Sequence, residues 1–202
     1  PRINAYFTHA QSLPHYEGGA CFEVTHIDTV TSVGTYLDAP YHRHPGRATI
    51  DHLALGQCVL AGVVADVRRK GPREPIRAAD LPEVSLCGGA VLFCTGWDRY
   101  WKQPAYHAHP YLSAEVVEAL LEQAPSLVGI DVLNIDNPRD KTRAAHTQLL
   151  GHDILIVENL CGLEQLIGHS FLFVAAPVKV RGAAAFPVRA FALLGLEGGV
   201  DP

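Results

Sequence analysis

The chain has 202 residues, 48% of them hydrophobic and 18% charged, with a formal net charge of −5 at pH 7. That length can bury one sizeable core, while the acidic balance offers no electrostatic footprint for nucleic acid or an anionic membrane. No apolar run reaches the roughly 20 residues that cross a bilayer, so the expectation is a single cytoplasmic domain, residues 1–202, acting on a small molecule. The five cysteines, an odd number without a CxxC pair, argue against a disulfide framework or a zinc ribbon. Four of them lie in or beside apolar runs, as buried thiols do.

Residues 1–19 lack a clean period, carry two prolines and end in Gly-Gly, and read as an irregular arm whose His9, His15, Tyr6, Phe7 and Tyr16 either line a pocket or, as the favoured reading, pack on a sheet edge or another subunit. From Cys21 to Val33, apolar and polar residues alternate and many are β-branched, which favours a strand running into the stretch SVGTYLDAPYHRHP, Ser32 to Pro45. A continued period of two puts Ser32, Gly34, Tyr36 and Asp38 on one face, with Gly34 leaving the backbone open to a ligand. Pro40 ends the strand. Asp38 then stands at a stiff strand end with His42 and His44 just beyond it, a carboxylate and imidazoles placed for acid–base chemistry.

Further along, Ile50 to Leu55 reads as a short connecting helix, Cys58 to Val67 as a strand buried on both faces, and Arg68 to Pro75 as a solvated charged loop. Ala90 to Cys94 is a buried strand leading into Thr95-Gly96-Trp97-Asp98, where Trp97 is either a pocket wall or a loop anchor. Ser113 caps a helix with Val116, Val117, Leu120 and Leu121 at helical spacing. Leu127 to Ile135 is a buried strand before the polar turn Asp136 to Asp140. His146 follows in HTQLL, and Glu158 ends the apolar run Ile154 to Val157, where an ionised carboxylate needs a cation or a hydrogen-bonded histidine. The last third reads as a short helix, GLEQLIG, then strands FLFVAAPVKV and FPVRAFALL, with Pro177 and Pro187 at an edge, a strand start or a bulge and Arg189 paired with a carboxylate. Buried strands alternating with helical links predict a mixed α/β fold.

SVGTYLDAPYH resembles the HxGTHxDAPxH signature of the cyclase family of metal-dependent hydrolases, which includes bacterial kynurenine formamidases and isatin hydrolases. Gly34, Thr35, Asp38, Ala39, Pro40 and His42 match it, and Ser32 and Tyr36 stand where the signature has two metal-ligating histidines. HTQLL and ILIVENL resemble the segments whose histidine and glutamate complete the family's metal site, and the likeness covers most of residues 21–194. It implies the swivelling β/β/α architecture, a mixed sheet or partial barrel with packed helices, in a homo-oligomer (dimer or tetramer). It also implies Asp38, His146 and Glu158 as metal ligands, His42 as general acid/base, and arylformamidase-like hydrolysis of an amide, formamide or lactone, as in tryptophan catabolism. With serine and tyrosine in place of two imidazoles, one divalent ion per subunit, Zn²⁺ or Mn²⁺, is expected. Tyr36 is then available to donate a hydrogen bond to Asp38 or to a substrate oxyanion, and Ser32, His44 and Trp97 are candidates for substrate contact. The alternative is a catalytically silent protein of the same fold that holds a small ligand; the retained Asp38, His42, His146 and Glu158 favour the enzyme.

Overall fold

The computed structural model describes residues 1–195. In chain order the elements are β1 (Arg2–Phe7), α1 (His9–Ser12), β2 (Val24–Asp28), β3 (Tyr36–Asp38), β4 (Val59–Asp66), β5 (Pro75–Ile76), β6 (Ala90–Cys94), β7 (Tyr111–Leu112), α2 (Ala114–Gln123), β8 (Leu127–Ile130), α3 (Ala144–Gly151), β9 (Leu155–Glu158), β10 (Phe171–Val174), β11 (Ala185–Pro187) and β12 (Phe191–Leu194), with short 3-10 turns between several of them.

Eight strands make one mixed sheet in the order β11-β3-β9-β8-β6-β4-β10-β12. Its centre, β4-β6-β8-β9, is parallel, because a parallel step needs a long crossover and α2 and α3 supply two of them. The flanks are antiparallel. β11 and β12 lie at opposite edges of the sheet, yet only Val188 to Ala190 separate them in sequence. A flat sheet would hold those edges about 34 Å apart at the usual strand spacing, whereas the link spans roughly 14 Å at full stretch. The sheet therefore curls into a partial barrel, the mixed α/β architecture expected. Its concave side gathers Leu37, Leu92, Val157 and Phe173 from strands far apart in the order. Its convex side packs Val91, Val128 and Ile156 against Val116 and Leu120 of α2 and Leu149 of α3. Helix α2 starts where expected, with Ser113 Oγ accepting from the Val116 N–H at 3.3 Å.

Several expectations are corrected. The segment 1–19 is not an irregular arm: β1 pairs with β2 in an antiparallel ribbon, Arg2 opposite Asp28 and Ile3 opposite Ile27. The ribbon stands apart from the main sheet with Ile3 68% and Ile27 59% exposed, and with no core selecting a face, its period was hard to read. The strand does not run into the motif either. Residues 29–35 are irregular, and Gly34 sits at φ +64, a left-handed conformation natural to glycine that breaks the alternation through Ser32 and Gly34. The Ile50–Leu55 helix is replaced by two 3-10 turns, Ile50–His52 and Leu55–Gln57.

β4 packs on both faces as expected, Leu60 and Val64 in the concave core and Val63 and Ala65 in the convex one, although Ala61 and Asp66 are exposed. Lys70 is not on a solvated face: its Nζ lies 2.7 Å from the Asp80 carboxylate, both side chains buried. Only Cys58 and Cys94 are buried, while Cys21, Cys87 and Cys161 are exposed. FPVRAFALL is two strands, not one, and Arg189 is exposed in the link between them, paired with no carboxylate of a described residue. Pro187 lies, as expected, on an edge strand, β11.

Gly62 of β4 stands opposite Phe171 of β10, and the Phe171 ring fills the space a Cβ would take. Gly62→Ala is therefore expected to destabilise the fold by about 1–3 kcal/mol through overpacking, read as a melting temperature lower by roughly 2–4 °C per kcal/mol; an unchanged melting temperature would refute this packing.

Candidate metal centre

The site lies where β3 meets β9. The antiparallel register sets Tyr36 opposite Glu158 and Asp38 opposite Ile156. Cross-strand neighbours share a face, as do residues two apart, so Tyr36, Asp38 and Glu158 all point to the convex side, beneath α3. Tyr36 OH donates to Glu158 Oε2 in a short hydrogen bond, and the Ile135 N–H donates to Glu158 Oε1 at 2.9 Å. After Asp38, Ala39 stays extended (φ −86, ψ 160) and Pro40 opens a 3-10 turn that folds the chain back. That turn brings His42 Nδ1 to 3.3 Å from Asp38 Oδ1.

His146 comes from α3. Its Nε2 is 3.7 Å from Asp38 Oδ2 and 3.4 Å from Glu158 Oε1, and its ring centroid is 5.8 Å from that of His42. Asp136 fixes it twice: Oδ1 accepts the Ala145 N–H at 2.7 Å, capping the helix start, and Oδ2 accepts from His146 Nδ1 at 2.6 Å. A histidine whose Nδ1–H is held by a carboxylate presents the Nε2 lone pair, the arrangement typical of a metal-ligating imidazole. Arg143, in a left-handed conformation just before α3, places Nε 3.1 Å from Asp136 Oδ2 and one terminal nitrogen 3.2 Å from His146 Nε2.

Asp38 decides whether these residues fit a cation. Its side chain is 0% exposed, and neither oxygen has a hydrogen-bond partner. A buried carboxylate without donors is costly. When ionised, Asp38, Asp136 and Glu158 bring three negative charges against one from Arg143, an excess that a divalent cation would neutralise. Asp38, His42 and His146 each offer a ligand atom within 4.8 Å of the others, with Glu158 Oε1 beside them. The donor set, imidazole and carboxylate, suits Zn²⁺ or Mn²⁺.

Titration follows the same crowding. Burial pushes the Glu158 carboxyl up, and the Asp38 charge adds to it. Burial opposes a proton on His146, but the Asp136 hydrogen bond and the nearby acids outweigh it and raise its pKa. Burial also raises the Tyr36 phenol, helped by Glu158, so Tyr36 is a neutral donor. His42 is lowered mainly by burial, with the Asp38 charge pulling the other way, which leaves it neutral near pH 7.

The structure thus brings together Asp38, His42, His146, Glu158 and Tyr36, although Tyr36 bonds to Glu158 rather than to Asp38. It does not bring the other three. Ser32 is exposed in the loop before Gly34. His44 turns to α3, its Nε2 at 2.9 Å from the Thr147 carbonyl oxygen. Trp97 is an anchor, 4% exposed, its Nε1 donating to the Ala105 carbonyl at 3.2 Å. Trp101, 46% exposed, stands instead against Tyr106, whose hydroxyl donates to Asn159 beside Glu158 at 2.8 Å. Asp136 and Arg143 were missed. The available signal was general: a ligating histidine usually has a carboxylate or carbonyl partner on its other nitrogen, and Asp136 lies in the turn before α3.

The family described as "Putative cyclase" matches residues 3–137, more than half of the sequence. The chain belongs to the cyclase family. It is 30% identical over 161 residues to a kynurenine formamidase of Bacillus cytotoxicus, covering 78% of this chain and 73% of that protein. Among solved structures it is similar to one titled a potential metal-dependent hydrolase with cyclase activity, at 26% identity and a TM-score of 0.72 over 82% of this chain and 80% of that one. The fold of isatin hydrolase A from Ralstonia solanacearum is also shared, at 24% identity and a TM-score of 0.81 over 96% of this chain and 81% of that one. This cyclase-family chain has a largely buried acid–imidazole cluster of Asp38, His42 and His146.

Replacing Asp136 by Asn puts an amide donor against His146 Nδ1 and favours the tautomer with its proton on Nε2. Asp136→Asn is expected to weaken Zn²⁺ binding roughly 10–100-fold, read by competition with a chromophoric chelator while circular dichroism confirms the fold; unchanged affinity would show that Asp136 does not set the tautomer.

Proposed function

We propose that the chain hydrolyses an amide, with a formamide as the favoured class, using one divalent cation per subunit, Zn²⁺ or Mn²⁺, held by Asp38, His146 and Glu158, with His42 as general acid/base. The observation that carries this reading is Asp38, a fully buried carboxylate without a hydrogen-bond donor, set between two imidazoles. The named activity of the curated relatives, a formamidase, supports the formamide. A single ion follows from Ser32 and Tyr36, since neither a serine hydroxyl nor a neutral phenol is a strong zinc ligand. A cation held there supplies Lewis acidity toward a carbonyl and acidifies water.

The chain's own groups do the rest. His42, partly open with 30% of its side chain exposed, faces solvent where a substrate enters and is neutral near pH 7. It takes a proton from the attacking water and returns it to the departing amine nitrogen as the C–N bond breaks. Asp38 Oδ1 lies 3.3 Å from His42 Nδ1, near enough for its charge to favour the imidazolium that forms when His42 takes a proton. Tyr36 holds Glu158 in place and keeps one of its oxygens from solvent.

A catalytically silent ligand-binding protein is the second reading, favoured by the commitment of Tyr36 to Glu158. The reading also carries a cytoplasmic homo-oligomer, dimer or tetramer, supported by the apolar residues exposed on the β1–β2 ribbon.

Purified protein is expected to bind about one equivalent of Zn²⁺ or Mn²⁺ and to hydrolyse N-formylkynurenine, with His42→Ala lowering kcat about 100-fold or more. Turnover unaffected by the substitution would remove His42 from the mechanism, and metal binding without turnover would favour the silent protein.

A further inference from the structure

Arg143 breaks three local rules at once. It stands at the N-cap of α3 with a left-handed backbone, φ 56 and ψ 48, where N-cap residues are ordinarily extended, and a residue other than glycine held there costs about 1–3 kcal/mol. Its side chain makes no capping bond; that bond comes from Asp136, through the Ala145 N–H. It also sets a permanent cation at the positive end of a helix, where charge of that sign is unfavourable. Proteins tolerate such local costs where a functional site gains from them.

Neutralising Asp136 does not account for it. Both Asp136 oxygens already have donors, the Ala145 N–H on Oδ1 and His146 Nδ1 on Oδ2, and Arg143 Nε only joins the second at 3.1 Å. Asp136 in turn holds the guanidinium in place. One terminal nitrogen then lies 3.4 Å from His146 Nδ1 and 3.2 Å from Nε2. A nitrogen almost equidistant from the two stands over the face of the ring, because in the ring plane it would collide with Cε1, and guanidinium groups stack on aromatic faces in this way. The Nε2 lone pair lies in the ring plane and stays free for a cation. The other terminal nitrogen has no partner among the described residues, and the side chain is 36% exposed. The His42 ring centroid is 5.8 Å from that of His146, and Arg143 is near enough for its charge to add to the burial that lowers the His42 pKa. A fixed cation with unused N–H donors therefore stands on the open side of the centre, beside the general acid/base.

We propose that Arg143 is a catalytic residue of this centre, donating from its free terminal nitrogen to the carbonyl oxygen that becomes negative during hydrolysis. The proposal rests on the hydrolase reading above. As the water oxygen bonds to the formyl carbon, one water proton passes to His42 and the carbonyl π pair moves onto the oxygen, where the guanidinium meets it. That pair returns to the carbonyl as the C–N bond breaks. The nitrogen keeps the C–N pair and takes the proton from His42, leaving formic acid and the free amine. A donor fixed in advance where this charge develops acts on the transition state more than on the bound substrate.

Arg143→Gly is the test variant, because it removes the side chain and relieves the left-handed backbone. With N-formylkynurenine, kcat is expected to fall about 100–1,000-fold, the effect of losing one oxyanion donor, with KM little changed. Guanidinium chloride at a sub-denaturing concentration restores part of kcat, whereas sodium chloride at equal ionic strength does not, and Arg143→Lys retains more of kcat than Arg143→Gln. Zn²⁺ affinity, read by chelator competition, is equal to that of the wild type or tighter, since a like charge has gone. An unchanged kcat, or no recovery with guanidinium, overturns the proposal. Zn²⁺ binding weakened roughly 10-fold or more, as expected of Asp136→Asn, also overturns it and makes Arg143 a positioning residue for His146. Calorimetric titration with formate, the acid product, separates the two claims. If the wild type turns over no formamide, the hydrolase reading fails and formate alone decides: binding that is lost in Arg143→Gly upholds Arg143 as an oxyanion donor, and binding equal in both proteins, or absent, overturns it.

Discussion

The structure turns on a carboxylate that nothing in the protein solvates. Asp38 is sealed from water, lacks a donor on either oxygen, and has a second acid, Glu158, close enough to share a histidine nitrogen with it. Burying an acid in this way is unfavourable unless a cation or a proton compensates. His146 can supply only one positive charge, and Asp136 and Arg143 already draw on the same ring. A divalent ion resolves this balance, and the neighbouring groups are arranged accordingly: Asp136 directs the His146 Nδ1 proton away from the site, and Tyr36 and the Ile135 amide secure Glu158.

The fold provides this geometry at little length. β3 is three residues long, but its antiparallel register against β9 puts a tyrosine and two acids on one face, and the proline after it turns His42 back onto the same spot. The parallel strands β6, β8 and β9 end near one another, so the loops that carry Trp101, Leu133 and Asn159 gather at the site, the usual position for function in a sheet with parallel strands. β11 pairs on the outer side of β3, with Ala185 opposite Asp38, so β3 is an inner strand rather than an edge, which helps to bury Asp38.

The sequence makes the mixed α/β class, the capped helix and the gathering of Asp38, His42, His146 and Glu158 legible, because strand ends, prolines and buried acids leave local signals and the motif resembles a family pattern. It does not make the ribbon legible: β1 and β2 expose both faces, so no periodic burial marks them. It leaves Trp97 open between a pocket wall and a loop anchor, and the structure gives the anchor. Trp97 and Trp101 lie four apart in one loop, and only the packing of that loop on Ala105 and Tyr106 decides which is buried. Asp136 reads in sequence as part of a polar turn, since its partner lies in the next helix, and His44 reads as a candidate for substrate contact, whereas the position of α3 gives it the Thr147 carbonyl as partner. Each of these misses involves a tertiary contact with no local counterpart.

Thermal unfolding with and without Zn²⁺ or Mn²⁺, on the wild type and Asp38→Asn side by side, bears most directly on the need for a cation. At a hundredfold excess over Kd, the ion should stabilise the wild type by about 2.7 kcal/mol and leave Asp38→Asn unmoved, and without the ion the variant should be at least as stable as the wild type, because the uncompensated charge is gone. Equal stabilisation of both proteins, or a metal-free variant clearly less stable than the metal-free wild type, would contradict the account.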